Sequence, residues 1–278
     1  MRDFEDFMPL AVIQEHFWSS DGSAAEQAPL TECVALAVPA PLDPAALHTA
    51  VRALLSRHEI LRSAMRVHDG APGQVVLPVP DPLPVTELDL PAREADTDAA
   101  ADRDRELTRF AGAGIDPAAG CGIAFLLLHG GGPAREDVLA VAVHHIVADA
   151  TTVRLLLAEL AADYAAALAG APSPVSAPEL QYGDFVQWER EALLPTAQDA
   201  DTAWWQETLR DAPTSLDVRP DRPRRPSGAG SAGASSSSCP ASTAPRCAAP
   251  RGSCRARRTR CAWPGGPRRS PAPPVATT

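Results

Sequence analysis

Residues Val138–Ala150 read VLAVAVHHIVADA, and this stretch decides the fold. Its first six residues are an uninterrupted run of Val, Leu and Ala, which predicts a strand buried on both faces. The strand leads into His144 and His145, and Asp149 follows four residues later. A long amphipathic helix begins just after it. A polar turn between a strand and a helix is a rigid place from which α/β proteins present reactive side chains.

The histidine pair has two interpretations from the residues alone. A neutral imidazole at a strand end can take a proton from an attacking amine or hydroxyl near pH 7. A histidine beside an apolar strand can equally be a structural residue. Because side chains alternate along a strand, only one of His144 and His145 can face a given cavity. No Cys, Glu or further His follows at ligand spacing, so the pattern indicates no metal site.

Four segments stand in the order and at the spacing of one family's motifs. They are His144–Ala150 (HHxxxDG in the family, with Ala150 in place of Gly), Arg57–Arg62 (RHExLR), Tyr182–Trp188 (YxDYAxWQ), and Trp204–Leu209 followed by Asp221–Arg224. In these segments the chain resembles the condensation domains of nonribosomal peptide synthetases, whose superfamily includes chloramphenicol acetyltransferase. The resemblance covers residues 8 to about 224.

The resemblance implies a fold and a division of the chain. The fold class is α/β, an α+β two-layer sandwich, with residues 1–172 forming an N-terminal lobe like that of chloramphenicol acetyltransferase. Residues 173–221 would form the start of a second lobe, with a linker and helices. Family members have two such lobes with the active site between them. We therefore expect a truncated domain with impaired activity.

The resemblance also assigns roles to residues around the histidine pair. His145 is the catalytic residue, which positions or deprotonates the acceptor amine, and His144 packs and orients the turn. Asp149 would anchor the turn through an ion pair with Arg62. The residues alone leave other roles open, because Asp149 or Thr151 can cap the following helix and Arg62 can be a solvated charge at a strand edge.

Three further features bear on the expected cavity. Ala150 costs stability if the family's glycine serves a positive φ, and its methyl group can narrow the substrate channel. Trp204 and Trp205 are expected to pack in the core, and Tyr182 and Trp188 are interpreted in the same way. Trp205 and Tyr182 are also candidates for lining the cavity.

The function implied by the resemblance is amide-forming acyl transfer in nonribosomal peptide biosynthesis. The donor would be a thioester on the phosphopantetheine of a carrier protein, attacked by the amine of a second carrier-bound aminoacyl group. No cofactor would bind the domain directly, and its partners would be carrier proteins and neighbouring synthetase domains. Two alternatives stay open. One is an ester-forming acyltransferase, and the other is a non-catalytic remnant that binds carrier proteins, which Ala150 and the departure from the family's Pro-Leu-x-Arg run at Cys121–Ala124 favour.

Charge and composition exclude other functions. The formal net charge is −10, and through Asp221 the chain has 14 Arg against 35 acidic residues. Such an acidic part discourages binding to nucleic acid or to an anionic membrane. No run reaches transmembrane length, and Met1–Leu10 lacks a signal-peptide pattern, so we expect a cytoplasmic protein.

The tail, residues 222–278, has a different composition. It contains 11 Arg and no acid, and it has no Leu, Ile, Met, Phe or Tyr. A segment so poor in large apolar residues cannot offset its conformational entropy by burial, which predicts a disordered, low-complexity tail. Except for Val275, its residues are of types encoded with G or C in the middle codon position. In a GC-rich gene this pattern indicates translation out of frame.

Patterns along the rest of the chain predict individual elements. Asp43-Pro44 begins a helix, and Asp69-Gly70 turns one strand back on the next. Residues 80–91 are expected to be an extended proline-rich connector, and 98–111 a charged surface helix. Residues 9–18 should form a short helix that presents Leu10, Ile13, Phe17 and Trp18.

Overall fold

The computed structural model describes residues 7–18, 30–38, 40–92, 96–130 and 136–213, and helices and strands are mixed along this part of the chain. In chain order the elements are β1 (Met8–Pro9), α1 (Val12–Phe17), β2 (Thr31–Val38), α2 (Pro44–Arg57), a 3-10 turn (Glu59–Arg62), β3 (Ser63–His68), β4 (Ala71–Val76), β5 (Val85–Asp89), α3 (Asp96–Ala113), a 3-10 turn (Pro117–Ala119), β6 (Ile123–His129), β7 (Asp137–His144), α4 (Ala150–Leu168), α5 (Tyr182–Trp188), a π-helical turn (Glu189–Leu193) and α6 (Leu194–Thr208).

The main sheet has the strand order β2-β7-β6-β5, so β7 lies inside it. Strand β7 pairs antiparallel with β2, where Glu32 is opposite Val143, and with β6, where Ile123 is opposite the same residue. All eight residues of β7 are buried. The expectation of a strand buried on both faces is therefore confirmed, as is the mixed helix-and-sheet class.

Helices α2 and α4 pack together on one face of this sheet. Each has one apolar stripe, and both stripes meet the alternate residues of β6 and β7 that point to that side. The buried members of this core include Leu47, Val51, Leu54, Leu55, Ile123, Phe125, Leu127, Leu139, Val141, Val143, Val153, Leu156 and Leu160. Because α4 starts directly after the histidine turn, this packing fixes where the turn lies.

Helix α3 covers part of the opposite face. Leu107 and Phe110 pack against a second cluster, formed by Leu126, Leu128, Val138 and Ala140 of the sheet. Asp102 of the same helix is also buried. The helix predicted to lie on the surface is therefore half-buried. Its apolar contacts are few and widely spaced among charges, and for this reason the sequence pattern understated them.

A second, small sheet has the order β1-β4-β3. Its hairpin turns at Asp69 and Gly70, which have φ values of 50° and 79°. Positive φ at both central residues matches the right-handed twist of the flanking strands, so the predicted turn is confirmed. Among the described residues, Asp69 is the one residue other than glycine with positive φ.

The proline-rich connector contains a strand that the sequence did not predict. Residues Val85–Asp89 form β5, which pairs in parallel with Phe125–His129 of β6 at the edge of the main sheet. Proline flanks this strand at Pro84 and Pro91 but is absent from its paired residues. Proline is tolerated beside an edge strand, and this explains why its density did not exclude pairing.

A buried ionic cluster joins α2 to α4. The Arg57 guanidinium contacts Asp163 Oδ2 at 2.9 Å and Glu159 Oε2 at 2.8 Å, and the side chains of Arg57 and Asp163 are only 5% and 2% exposed. His58 Nε2 lies 2.7 Å from the same Glu159 oxygen. Ser173 Oγ accepts a further hydrogen bond from Arg57, at 3.0 Å. The cluster thus also binds the segment that follows α4.

No helix in the described part of the chain is long and apolar enough to span a membrane. The tail of residues 222–278, for which the sequence predicts disorder and out-of-frame translation, lies outside the described residues.

We predict that Arg57→Ala lowers the free energy of unfolding by about 3–5 kcal/mol, because it leaves the buried carboxylate of Asp163 without its cation. Urea denaturation followed by circular dichroism measures this change. The matched control is Arg52→Ala, an exposed arginine of the same helix, for which a change within about 0.5 kcal/mol is expected. Equal effects of the two substitutions would show that the cluster adds nothing beyond surface charge.

Candidate active site

The histidine turn is held by backbone hydrogen bonds to the strands on either side. His144 N donates to Gly122 O at 2.9 Å and His145 N donates to Leu30 O at 2.7 Å. Val147 N then donates back to His144 O at 3.0 Å and closes the turn. With its backbone groups paired, the turn is a rigid platform at the end of β7.

Gly122 allows β6 to approach this turn closely. A Cβ atom at residue 122 would lie 2.6 Å from Cγ2 of Val147, closer than side-chain carbons approach in proteins. Gly122 belongs to the segment Cys121–Ala124, where the chain departs from the family's Pro-Leu-x-Arg run. The departing segment is therefore in direct contact with the site.

His144 points into the core and is fully buried. Its Nδ1 accepts a hydrogen bond from the backbone N–H of Ile146 at 3.1 Å, so the neutral ring carries its hydrogen on Nε2. Burial, followed by the nearby His145, lowers the pKa of His144 from 6.5 to about 4, although Asp116 opposes this shift. His144 is therefore neutral at pH 7 and supports the turn from inside.

His145 points the other way, and its side chain is 37% exposed. Its Nδ1 lies 2.9 Å from the carbonyl oxygen of Ala148, which can only accept. The hydrogen of the neutral ring is therefore on Nδ1, and Nε2 carries a lone pair. The ring stacks on Phe17, with centroids 4.8 Å apart and planes 16° from parallel. Glu32 Oε1 lies 3.8 Å from Nε2.

Helix α1 docks on the turn through a buried glutamine. Gln14 Nε2 donates to Ile146 O at 3.1 Å, and Gln14 Oε1 accepts from Ala11 N at 2.9 Å. The helix therefore presents Gln14 inward, whereas Ile13 is 56% exposed. The expected apolar stripe was wrong at Ile13, because a hydrogen bond to the turn rather than apolar packing sets the rotation of this short helix.

Asp149 caps α4 from an exposed position. Its Oδ1 accepts hydrogen bonds from Thr152 N and Thr152 Oγ1, both at 2.7 Å, and these bonds lower the pKa of the carboxyl. Ala150 is the first residue of the helix, is exposed and has no positive φ. The backbone strain that Ala150 would suffer at a glycine position is therefore not present here.

The expected ion pair between Arg62 and Asp149 was wrong. Arg62 Nε donates to Leu55 O at 3.0 Å, its Nη1 donates to Leu77 O, and its Nη2 lies 3.7 Å from Glu59 Oε1. These contacts join the 3-10 turn after α2 to the end of β4. Asp149 has Thr152 as its partner instead, and the two predicted partners serve different parts of the fold.

The aromatic residues after α4 differ from the packing expected of them. Trp204 and Trp205 are 59% and 54% exposed, and Trp188 is 52% exposed. Trp205 lines an open groove on α6 with Asp201, Thr202, Gln206 and Leu209. Tyr182 is half-buried beside Phe185, with ring centroids 5.6 Å apart. Because all three tryptophans are more than half exposed, the core-packing prediction was wrong for them. None of the contacts described for these aromatic residues reaches His145.

Sequence reasoning missed three side chains that shape the site, namely Gln14, Phe17 at its stacking position, and Glu32. A lone acid in the otherwise small, apolar stretch Thr31–Val38 was the signal available for Glu32. Among the described residues, no group of three or more His, Cys, Asp or Glu side chains could hold a metal ion.

Comparison with known proteins agrees with this architecture. A family model described as "Condensation domain" matches residues 4–248. A probable non-canonical nonribosomal peptide synthetase of Salinispora arenicola, CymA, is 35% identical over 229 residues, which are 79% of this chain and 3% of that protein. The chain therefore belongs to the condensation-domain family.

Two solved structures share the fold. The X-domain from teicoplanin biosynthesis is 26% identical, with a TM-score of 0.62, over 78% of this chain and 46% of that one. The first condensation domain of the CDA synthetase is 24% identical, with a TM-score of 0.60, over 75% of this chain and 51% of that one. The chain thus spans about half the length of these two solved chains.

We predict that His144→Asn flattens the dependence of stability on pH. Because the pKa of His144 is lowered in the folded state, the unfolded chain binds the proton first as the pH falls. The free energy of unfolding therefore decreases as the pH falls from about 6.5 to about 4. This loss amounts to about 2 kcal/mol between pH 7 and pH 5, at about 1.4 kcal/mol per pKa unit. Urea denaturation at both pH values measures it. His68→Asn, which leaves His144 in place, should keep the wild-type slope, and an unchanged slope in His144→Asn would contradict the assignment.

A double-mutant cycle tests the partners of Asp149. We expect the effects of Arg62→Ala and Asp149→Ala on the free energy of unfolding to add, because the two side chains have separate partners. Asp149→Ala and Thr152→Val should instead be coupled, since both remove the same hydrogen bond. A coupling energy between Arg62 and Asp149 as large as that between Asp149 and Thr152 would show that Arg62 and Asp149 do form the ion pair.

Proposed function

We propose that His145 carries out condensation-type acyl transfer, forming an amide bond in nonribosomal peptide biosynthesis. The hydrogen bond from His145 Nδ1 to Ala148 O is the observation that carries this proposal. It leaves the Nε2 lone pair on the open side of a rigid turn. An imidazole lone pair held in this way can accept a proton from an attacking amine.

The reaction is an attack of the acceptor amine on the carbonyl carbon of a thioester. A C–N bond forms and the C–S bond breaks. His145 Nε2 takes a proton from the amine nitrogen and returns it to the departing thiolate. While the ring carries that proton, the carbonyl of Ala148 stabilises the imidazolium through Nδ1–H, and stacking on Phe17 limits rotation of the ring.

The substrates follow from the family. We propose that donor and acceptor arrive on the phosphopantetheine arms of carrier proteins, and that these proteins and neighbouring synthetase domains are the partners. The support is the membership of the chain in the condensation-domain family and its likeness to CymA. No cofactor held by the chain itself is needed for this chemistry.

We also propose that residues 173–221 begin a second lobe and that the chain alone is impaired. Its match to about half of each solved relative supports this division. So does the exposure of large apolar side chains after α4, which a second lobe would cover. They are Leu180, Phe185, Trp188, Trp204, Trp205 and Leu209, with exposed fractions between 41% and 75%.

A second candidate function is non-catalytic binding of carrier proteins. Ala150 in place of the family's glycine and the altered segment Cys121–Ala124 at the site favour it. A third, ester formation with a hydroxyl acceptor, would use the same His145 lone pair. These candidates differ in turnover and in acceptor, so an assay with defined substrates separates them.

We predict that His145→Ala lowers the rate of amide formation by about 10²–10⁴-fold without loss of folding. The assay uses acyl- and aminoacyl-pantetheine thioesters with mass-spectrometric detection. It is run on the chain and on a chimera of residues 1–213 with the uncovered half of the CDA synthetase condensation domain. The chimera should be active, and the chain alone should not exceed its own His145→Ala variant.

The matched control is His48→Ala, because His48 is also half-exposed and faces a carboxylate, that of Glu87 at 2.9 Å. It should leave turnover unchanged. A folded chimera whose His145→Ala variant keeps full activity would remove His145 from the mechanism. A folded chimera that binds acylated carrier proteins without turnover would favour the binding function, and turnover by the chain alone would refute its impairment.

A further inference from the structure

Two hydrogen-bond acceptors face each other at the open side of the site. The Nε2 lone pair of His145 and the carboxylate Oε1 of Glu32 are 3.8 Å apart. This separation is too long for a direct hydrogen bond, and each side chain is a little more than one-third exposed. A group that donates two hydrogens can therefore enter between them from solvent.

The position of Glu32 is set by the sheet rather than by a loop. Strand β2 runs beside β7 with Glu32 opposite Val143, two residues before His145. The ring of His145 is held by Ala148 and stacked on Phe17. The ring is therefore held in place before any ligand arrives, with a face covered by Phe17 and Nε2 at its edge, and the strand fixes the point from which the Glu32 side chain extends.

A primary amine fits this arrangement. A nitrogen placed about 2.9 Å from both acceptors can donate one N–H to each of them. Its third substituent is the acceptor chain, and its lone pair then points away from both acceptors. That is the direction in which the lone pair must point to attack a thioester carbonyl.

We propose that Glu32 is a specificity-determining residue that, together with His145 Nε2, binds the two N–H hydrogens of the acceptor amine and disfavours hydroxyl acceptors. This inference rests on the proposed function, because it assigns the acceptor class of the same site. In the reaction, one hydrogen passes to Nε2 and then to the departing thiolate. The other stays on nitrogen beside Glu32 and becomes the amide N–H.

A hydroxyl acceptor satisfies only one of the two groups. It has a single hydrogen, and donating it to Nε2 turns an oxygen lone pair toward the Glu32 carboxylate. Sites built to hydrogen-bond a donor reject analogues that lack it, because a polar group is left unpaired. The same pair of side chains thus selects an amine and orients its lone pair.

The test measures binding to the 278-residue chain, independently of turnover. The probes are aminoacetyl- and hydroxyacetyl-pantetheine in which an amide replaces the thioester. The titrations are run at about pH 9, roughly one unit above the ordinary pKa of an α-amino group, so that the amine is mostly uncharged and the probes differ in NH₂ against OH. Dissociation constants come from NMR titrations that follow the His145 ring signals, assigned with His145→Ala. We expect the wild type to bind the amine probe about ten-fold more tightly or better, and Glu32→Gln to lose this preference.

Glu87→Gln is the matched control, because Glu87 is also a strand carboxylate, is 36% exposed, and faces the half-exposed His48. It should keep the preference for the amine. Equal preference in the wild type and Glu32→Gln would overturn the proposal, as would failure of both probes to bind the wild type. The two proposals can also fail separately. If the chimera keeps normal turnover with His145→Ala while the chain prefers the amine probe in a Glu32-dependent way, the proposed catalysis is refuted and the acceptor selection is supported.

Discussion

Every residue of β7 is buried, and burial on both faces requires that other elements cover both sides of the sheet at this strand. Helices α2 and α4 close one face and α3 part of the other. Since α4 follows β7 after a short turn, the turn must emerge at the sheet's end, between β2 and β6. The position of His145 is thus set by core packing, and in the described part of the chain its ring is further held by Ala148 O and by stacking on Phe17.

Patterns with a local physical cause could be predicted from the sequence. The continuous apolar run of β7, the helix cap at Asp43 and the turn at Asp69-Gly70 each depend on a few neighbouring residues, and the structure contains all three. Strand β5 was missed because its pairing with β6 is a long-range event that the surrounding prolines conceal. The buried Gln14 was missed for a similar reason, since its partner Ile146 lies 132 residues away.

Charge pairs were the least predictable part of the site. The sequence shows that Arg57 and Arg62 belong to one motif. It does not show which carboxylate pairs with each arginine. In the structure Arg57 binds the buried carboxylate of Asp163 and the partly exposed carboxylate of Glu159, whereas Arg62 binds carbonyl oxygens. An arginine offers five donors in a fixed fork, so carbonyls can satisfy it as fully as an acid can. The motif therefore fixes the backbone positions of the two arginines, whereas tertiary packing decides which groups their side chains bind.

The two adjacent histidines carry opposite tautomers, and the backbone of one turn imposes both. An N–H group, that of Ile146, meets Nδ1 of His144, whereas a carbonyl, that of Ala148, meets Nδ1 of His145. The buried ring thus has its hydrogen on Nε2 and the exposed ring keeps its lone pair there. Asp149, which follows Ala148 directly, caps α4, so the helix starts immediately after the carbonyl that binds His145. The spacing between the histidines and Asp149 thus places a carbonyl at Nδ1 of His145 and a helix cap directly after it, and neither hydrogen bond involves an arginine.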